Sequence, residues 1–384
     1  MVWSLRVAVL WLLLVLHLQV SIAGELEDYL TEQLVITQVP GFSCGIVKDG
    51  SLVYNFTYGV TDIRTQEPVK PDTIFIQASV SKTITTTALL RALELTLASN
   101  GDLEGALDQS IQPLFAVVNP HFPASNVTFR DVLAHVTSFN DVWPSFYRRI
   151  EVGDPDPVGD YMRDYFLQGG QYYRRANFHD FPPRTTFDYC NHAFALGGHL
   201  VELLTGLELD AFCREHIFAP LGMRDTSFFL RNLDVTRVAT CHQTIPLVQA
   251  PLPLPHYGIP DYPAGNLRSS VLDLAPFLLA HIQDGRHGET QLLRPETVHA
   301  LRRVQFPSVA DYQGLGFYYR DLLQVGLDRI GHSGGIFGGR TELWHELSTG
   351  VGIIMMANGD VGSAASSLAW RAIIDALIVA GRDF

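Results

Sequence analysis

The sequence predicts an α/β fold of the α+β type. One antiparallel sheet is built from both termini and flanked by helices, and a large, mainly helical subdomain is inserted between them. Three observations predict this. Short apolar runs broken by glycine gather at the two ends of the 384-residue chain, while the middle carries helical spacing instead. No internal repeat or low-complexity tract divides the chain. A hydrophobic content of 47 % is enough to fill one large core or two closely joined ones.

The elements follow in order. The opening "MVWSLRVAVLWLLLVLHLQVSIAGELED" has one arginine before a leucine-rich run, then small residues at Ser21 and Ala23. This reads as a signal peptide over residues 1–23, cut near Ala23, for a secreted protein of residues 24–384. An uncleaved membrane anchor is the alternative, since the run approaches spanning length. No later segment reads as long and apolar enough to span, so no stable membrane insertion is expected. Residues 25–37 read as a short helix. "FSCGIVKDGSLVYNFTYGV" reads as a hairpin around Asp49-Gly50, because Asp-Gly favours a tight turn.

Helical spacing follows in "TFRDVLAHVTSF", "HAFALGGHLVELLTG", "LDAFCREHIFAPLG" and "SVLDLAPFLLAHIQDG". Glycine-punctuated strand runs return in "VGLDRIGHSG", "GRTELWHEL" and "GVGIIMMAN", and "SAASSLAWRAIIDALIVAG" closes the chain as a helix. Residues 24–74 and 312–384 are therefore assigned to the α/β subdomain and residues 75–311 to the helical one. A cleft between two such parts is a natural place for a site.

Charge and composition narrow the function. The formal net charge is −13, from 40 acidic and 27 basic side chains, and such a surface repels phosphate backbones. Nucleic acid is excluded as a partner on that ground. "NFT" at Asn55 and "NVT" at Asn126 are glycosylation acceptor patterns, as expected of a secreted chain. The four cysteines, Cys44, Cys190, Cys213 and Cys241, allow up to two disulfides in an oxidising compartment. None has zinc-ligand spacing, and no metal or organic cofactor is implied.

Chemistry concentrates in "FIQASVSKTITTTALLRALE". The chain has only three lysines, Lys48, Lys70 and Lys82, and otherwise uses arginine. From about Val80 the segment can be helical, with Leu89, Leu90, Leu93 and Leu97 as an apolar stripe, although the β-branched Thr83–Thr87 run weakens it. Ser79 then stands at the helix N-terminus and Lys82 one turn on, on the same face. A buried lysine can lose its proton and arginine effectively cannot, so a Ser-Lys pair accounts for the choice. The plainer alternative is a helix-capping serine and a solvated lysine, because Ser-X-X-Lys is common.

Two further stretches decide between these readings. "FIQASVSK", "FPPRTTFDYCNHAFALGGHLVELLTG" and "RIGHSGGIFGGRTELW" together resemble the serine β-lactamase and penicillin-binding-protein superfamily. The likeness is to its branch of class C β-lactamases, D-alanyl-D-alanine carboxypeptidases and esterases, with a β-lactamase/transpeptidase-like fold. Its three cleft elements fall on Ser79 and Lys82, on Tyr189 and Asn191, and on His332 and Gly334. "DVLAHVTSF", "IFAPLGMRDTSF" and "YPAGNLRSSVLDLAPF" are similar to further family phrases in the family's order.

The resemblance implies roles. Ser79 would be the acylated nucleophile, with Lys82 and Tyr189 sharing proton transfer. Asn191 would hold the acyl side of the substrate, and His332 and Gly334 would line the strand facing it. The backbone N–H groups of Ser79 and Gly335 would hold the oxyanion. Each residue also has a plain structural reading: packing for Tyr189, helix capping for Asn191 and a tight strand connection for His332.

Departures matter too. Cys190 stands where the family often has serine, "HVTSF" lacks a customary glycine, and Asn266 replaces another. His332 replaces the lysine of true class C enzymes, which moves the reading toward an esterase or peptidase. Residues 140–185 are expected to select the substrate. Cys213 and Cys241 are expected to pair, because Cys190 lies between two candidate site residues and Cys44 on a distant strand.

The sequence thus reads as a secreted serine hydrolase forming an acyl-enzyme on Ser79 with a small-molecule or peptide ester or amide. The alternative is a non-catalytic extracellular protein that keeps the fold and associates with the extracellular matrix. Transfer of the acyl group to an acceptor other than water is open on either catalytic reading.

Overall fold

The computed structural model describes residues 23–142, 151–245, 250–320 and 328–384. The leader expected over residues 1–23 lies outside them except for Ala23, and residues 23–37 are helical (α1).

Strands β1 (Gly41–Lys48) and β2 (Ser51–Gly59) form the expected hairpin. Asp49 and Gly50 both take positive φ, 49° and 84°, as a tight turn with primed geometry requires. The other long strands come from the far end of the chain: β3 (Arg329–Ile336), β4 (Gly339–Glu346) and β5 (Gly352–Ala357). With a two-residue edge strand, Tyr318–Tyr319, they give a six-stranded antiparallel sheet in the order edge-β3-β4-β5-β1-β2. The closing contact between the two ends is β1 on β5, with Cys44 opposite Met355 and Ile46 opposite Ile353.

Alternation along these strands splits the core. Phe42, Cys44, Ile46, Ile353 and Met355 share one buried cluster with Leu26, Leu30 and Leu34 of α1. The C-terminal helix α6 (Ala364–Gly381) adds Trp370, Ile373, Ile374 and Leu377 to it. Ile354, Met356, Leu343 and Ile330 face the other way, into the larger cluster that holds Leu274 and Leu278 of α5 (Val271–Ile282). Gly45 permits that second packing, since a Cβ there would lie 2.6 Å from Val271 Cγ1. The structure corrects one expectation here. Helix α6 is long and apolar enough to cross a membrane, with a mean hydropathy of 1.4 over its 18 residues. Its buried face is nevertheless committed to the sheet.

The middle of the chain is helical. Helix α2 (Ser81–Leu95) is buried on nearly every side, as is α4 (Asn191–Thr205), on which it packs. The threonine run does not disturb α2, and three of its four hydroxyls find acceptors: Thr83 donates to Val80 O, Thr85 to Pro263 O and Thr87 to Thr83 O, while Thr86 Oγ1 is buried without a partner among the described residues. Leu97 falls past the end of the helix and is 38 % exposed, so it leaves the expected apolar stripe. "TFRDVLAHVTSF" yields only one short helix, α3 (Phe129–Leu133), held by a Thr128/Asp131 capping box. His135 and Ser138, at φ 58° and 63°, then turn the chain away.

The expected Cys213–Cys241 disulfide is absent, and all four cysteines are free and buried. Cys213 is packed in the large core, whereas Cys241 lies in a separate small cluster with Ile76, Tyr257 and Ile259. Asn55 and Asn126 are both exposed.

Candidate active site

Ser79 sits on a tight 3-10 turn, Ala78–Val80, between the short strand Phe75–Ile76 and α2. Ala78 carries φ 46°, a conformation that alanine adopts only under constraint from its surroundings. The constraint is visible in Gln77. Its side-chain amide donates to Phe75 O and Ser269 O, and its carbonyl accepts from Thr341 Oγ1 of β4 at 2.7 Å. Strand β3 closes over the turn at Gly334. A Cβ there would lie 2.2 Å from Thr341 Oγ1 and 2.7 Å from Gln77 O, so only glycine allows the approach.

One turn into α2, Lys82 is fully buried. Its Nζ donates to three acceptors: Ser79 Oγ at 3.1 Å, Asn191 Oδ1 at 2.7 Å and Ala264 O at 2.8 Å. This geometry rules out a solvated side chain. Burial lowers the Lys82 pKa to about 7, against the upward pull of Asp261, Asp141 and Cys190. A neutral amine, able to take a proton from Ser79, is therefore accessible near neutral pH.

Tyr189 completes the pair. It lines the same cleft as Ser79, and Lys82 Nζ lies 4.8 Å from its ring centre. Burial of the phenol pushes its pKa up, opposed by the neighbouring Ser79 side chain. The residue as a whole is 39 % exposed, so water moderates the push, but its direction leaves the phenol protonated. Of the two, Lys82 is the group able to take up a proton near neutral pH, and Tyr189 the one able to give a proton up.

Asn191 is the first residue of α4 and not its cap, which corrects the plain helix-capping reading; the cap is Cys190, whose Sγ accepts from Ala193 N. His332 lies behind Tyr189, with ring centres 6.1 Å apart, and pairs its Nδ1 with Ser333 O at 2.6 Å. Burial, with the Lys82 charge next, lowers its pKa to about 3. His332 is thus neutral at working pH and offers no positive charge to a substrate carboxylate.

Ser79, Tyr189, Asn191 and Gly335 line one cleft of about 380 Å³, with Asp261 and Asp360 in its wall. His332 and Gly334, expected to line it, are buried and are not among its lining residues.

Two residues of this region were not found from sequence. Asp141 accepts hydrogen bonds from the start of α4, including the Asn191 amide. It lies fifty positions before Asn191, and no spacing rule links the two. Asp261 is fully buried, and neither carboxylate oxygen has a hydrogen-bond partner among the described residues. Its one sequence signal is a lone charge in the apolar and turn-rich "YGIPDYPAGNL". Among the described residues no group of three or more His, Cys, Asp or Glu is arranged to hold a metal ion.

Comparison with known proteins agrees with this geometry. Residues 26–378 match the family described as Beta-lactamase. The chain is 26 % identical over 341 residues to penicillin-binding protein 4 of Amycolatopsis lactamdurans, covering 85 % of this chain and 82 % of that one. It is 30 % identical over 196 residues to a D-aminopeptidase of Brucella anthropi, covering 50 % of this chain and 34 % of that one, so it spans about a third of that relative. In structure it resembles the D-amino acid amidase of Ochrobactrum anthropi SV3, with a TM-score of 0.72, 21 % identity and coverage of 94 % and 98 %. EstCE1, a hydrolase with promiscuous acyltransferase activity, gives a TM-score of 0.68 at 18 % identity, covering 94 % of this chain and 99 % of that one. At these identities the two structural likenesses speak for the fold.

Proposed function

The chain belongs to the β-lactamase family of serine hydrolases, and from that footing we propose that it cleaves an ester or amide through an acyl-enzyme on Ser79. The single observation that carries the proposal is the buried Lys82 amine held 3.1 Å from Ser79 Oγ. Neutral Lys82 takes the Ser79 proton as Oγ attacks the substrate carbonyl carbon. The developing oxyanion is held by backbone N–H groups of Ser79 and Gly335, both in the cleft wall. The C–O or C–N bond then breaks, and the leaving group receives a proton relayed from Lys82 through Tyr189. Water, deprotonated by the same pair, attacks the Ser79 ester, releases the acid and returns the proton to Ser79 Oγ.

Substrate class follows from the neutral His332 and from the acidic wall at Asp261 and Asp360. A site built this way favours small or peptide-like amides and esters without a carboxylate beside the scissile bond. The D-aminopeptidase and penicillin-binding-protein relatives support acyl chemistry of that kind. The same reading includes secretion, with a leader cut near Ala23 and glycans on Asn55 and Asn126.

The test is labelling with a fluorophosphonate and location of the adduct by mass spectrometry. Modification at Ser79, abolished in Ser79→Ala without loss of folding, is the expected result. Well-folded protein that takes no label would instead support the non-catalytic, matrix-associated alternative.

A further inference from the structure

We infer that Asp141 is a positioning residue for acylation: its carboxylate fixes the Asn191 amide so that Oδ1, and not Nδ2, faces Lys82. The inference rests on Ser79 being the acylated residue.

Asp141 stands at the mouth of α4 and gathers donors from three consecutive residues. Oδ2 accepts from Asn191 N and Asn191 Nδ2, each at 2.8 Å. Oδ1 accepts from His192 N at 3.0 Å, His192 Nδ1 at 2.5 Å and the Cys190 thiol at 3.3 Å. A carboxylate is well placed here, because the helix N-terminus presents free N–H groups and the positive end of its dipole. His192 is held from its other side by the Tyr161 hydroxyl, 2.9 Å from Nε2.

The consequence reaches Ser79 through one amide. A side-chain amide has a donor end and an acceptor end of nearly the same shape. Asp141 can accept but cannot donate, so it takes the Nδ2 end and leaves Oδ1 for Lys82 Nζ at 2.7 Å. Turned over, the amide would present a donor to a donor. The Lys82 ammonium formed during acylation would then lose one of its three acceptors. Asp141 carries charge as well as geometry: burial opposes its ionisation, but the His192 and Asn191 hydrogen bonds hold its carboxyl well below the usual range. It is therefore a carboxylate across the working range.

Other groups face Lys82 and must be held constant in the test. They are Asp261 from the cleft wall, Tyr189 and Cys190 from the turn before α4, His135, and His332 from β3. The rate of fluorophosphonate labelling is measured against pH for wild type, Asp141→Asn, Asn191→Ala and the double variant, with melting curves alongside. In Asp141→Asn the limiting rate should fall at least about 10-fold. Its acid limb should move down by at least about half a pH unit, because the ammonium loses a charge and an acceptor. Asn191→Ala should move the limb the same way. The double variant should match the slower single variant within about threefold, as for two residues acting through one contact.

An unmoved limb in either single variant, or losses that multiply in the double variant, overturns the inference. A purely structural Asp141 would lower the folded fraction and leave the limb in place. Should Asp141→Asn not fold, the Asn191→Ala limb decides, since the inference requires the amide to be the channel. Unlabelled wild type would instead defeat the acyl-enzyme reading itself.

Discussion

Lys82 Nζ reaches Ser79 Oγ at 3.1 Å from a fully buried position, with Asn191 and Ala264 holding its other two hydrogens. Arginine cannot replace such a group. Its guanidinium stays charged, and it is larger than the buried amine it would replace. Lys82→Arg should lower acylation of Ser79 by at least about 100-fold. It should also cost about 1–3 kcal/mol of stability through overpacking, where a solvated lysine would have tolerated the change. Single-turnover acylation by an activated ester, with thermal melts, checks both. Near-normal acylation would mean that Lys82 supplies charge alone.

The pH dependence has a definite sign. Burial lowers the Lys82 pKa to about 7, and only the neutral amine can take the Ser79 proton. Acylation should therefore be full above that value and be lost as pH falls through it. The limb belongs to Lys82 together with Asp261, whose carboxyl burial raises. His332, lowered to about 3, stays neutral throughout and should add no second limb near 6.5. A rate profile flat from pH 5 to 9 would count against Lys82 as the base.

Gly334 tests how the cleft is assembled. A methyl group there meets Thr341 Oγ1 and the Gln77 carbonyl, the atoms that brace the Ser79 turn. Gly334→Ala should push β3 away from the turn, costing about 1–3 kcal/mol. It should slow labelling of Ser79 beyond what the lost stability explains. A variant with an unshifted melt would show that the strand relaxes without cost.

Much of this was legible in the sequence, and the reasons are local. Asp-Gly at residues 49–50 fixes its own turn, and the strand runs at the two ends show their alternation directly. Ser79 and Lys82 are one turn apart, so their spacing carries the chemistry. Asp141 was silent because its partners are fifty positions away and no periodic pattern connects them. The cysteine pairing failed for a related reason. Spacing says nothing about which apolar cluster a buried thiol joins, and Cys213 and Cys241 join different ones. The α2 stripe was drawn one turn too far because the end of a helix is set by tertiary packing, which leaves Leu97 outside.

Asp261 gives a prediction about stability with the sign fixed by linkage. It is fully buried, neither oxygen is hydrogen-bonded among the described residues, and burial raises its carboxyl pKa to about 6. An unfolded aspartate titrates near 3.9. Between those two values the folded chain holds more protons than the unfolded one, so this group makes stability fall as pH rises through the window. Below it the folded carboxyl is neutral and the penalty is absent. Asp261→Asn removes the titration while keeping the shape. Its melting temperature relative to wild type should therefore climb between about pH 4 and 6 and stay high above that. Lys82 works in the same direction. In the variant its ammonium loses the stronger of its two carboxylate neighbours, keeping only Asp141, which penalises the variant most at the acid end. The same loss should slow acylation, because the ammonium forms in that step. Melting curves at matched ionic strength from pH 4 to 8.5 give the difference directly. A difference that is constant with pH, or that shrinks as pH rises, would show that Asp261 is not carrying an unpaired charge beside Lys82.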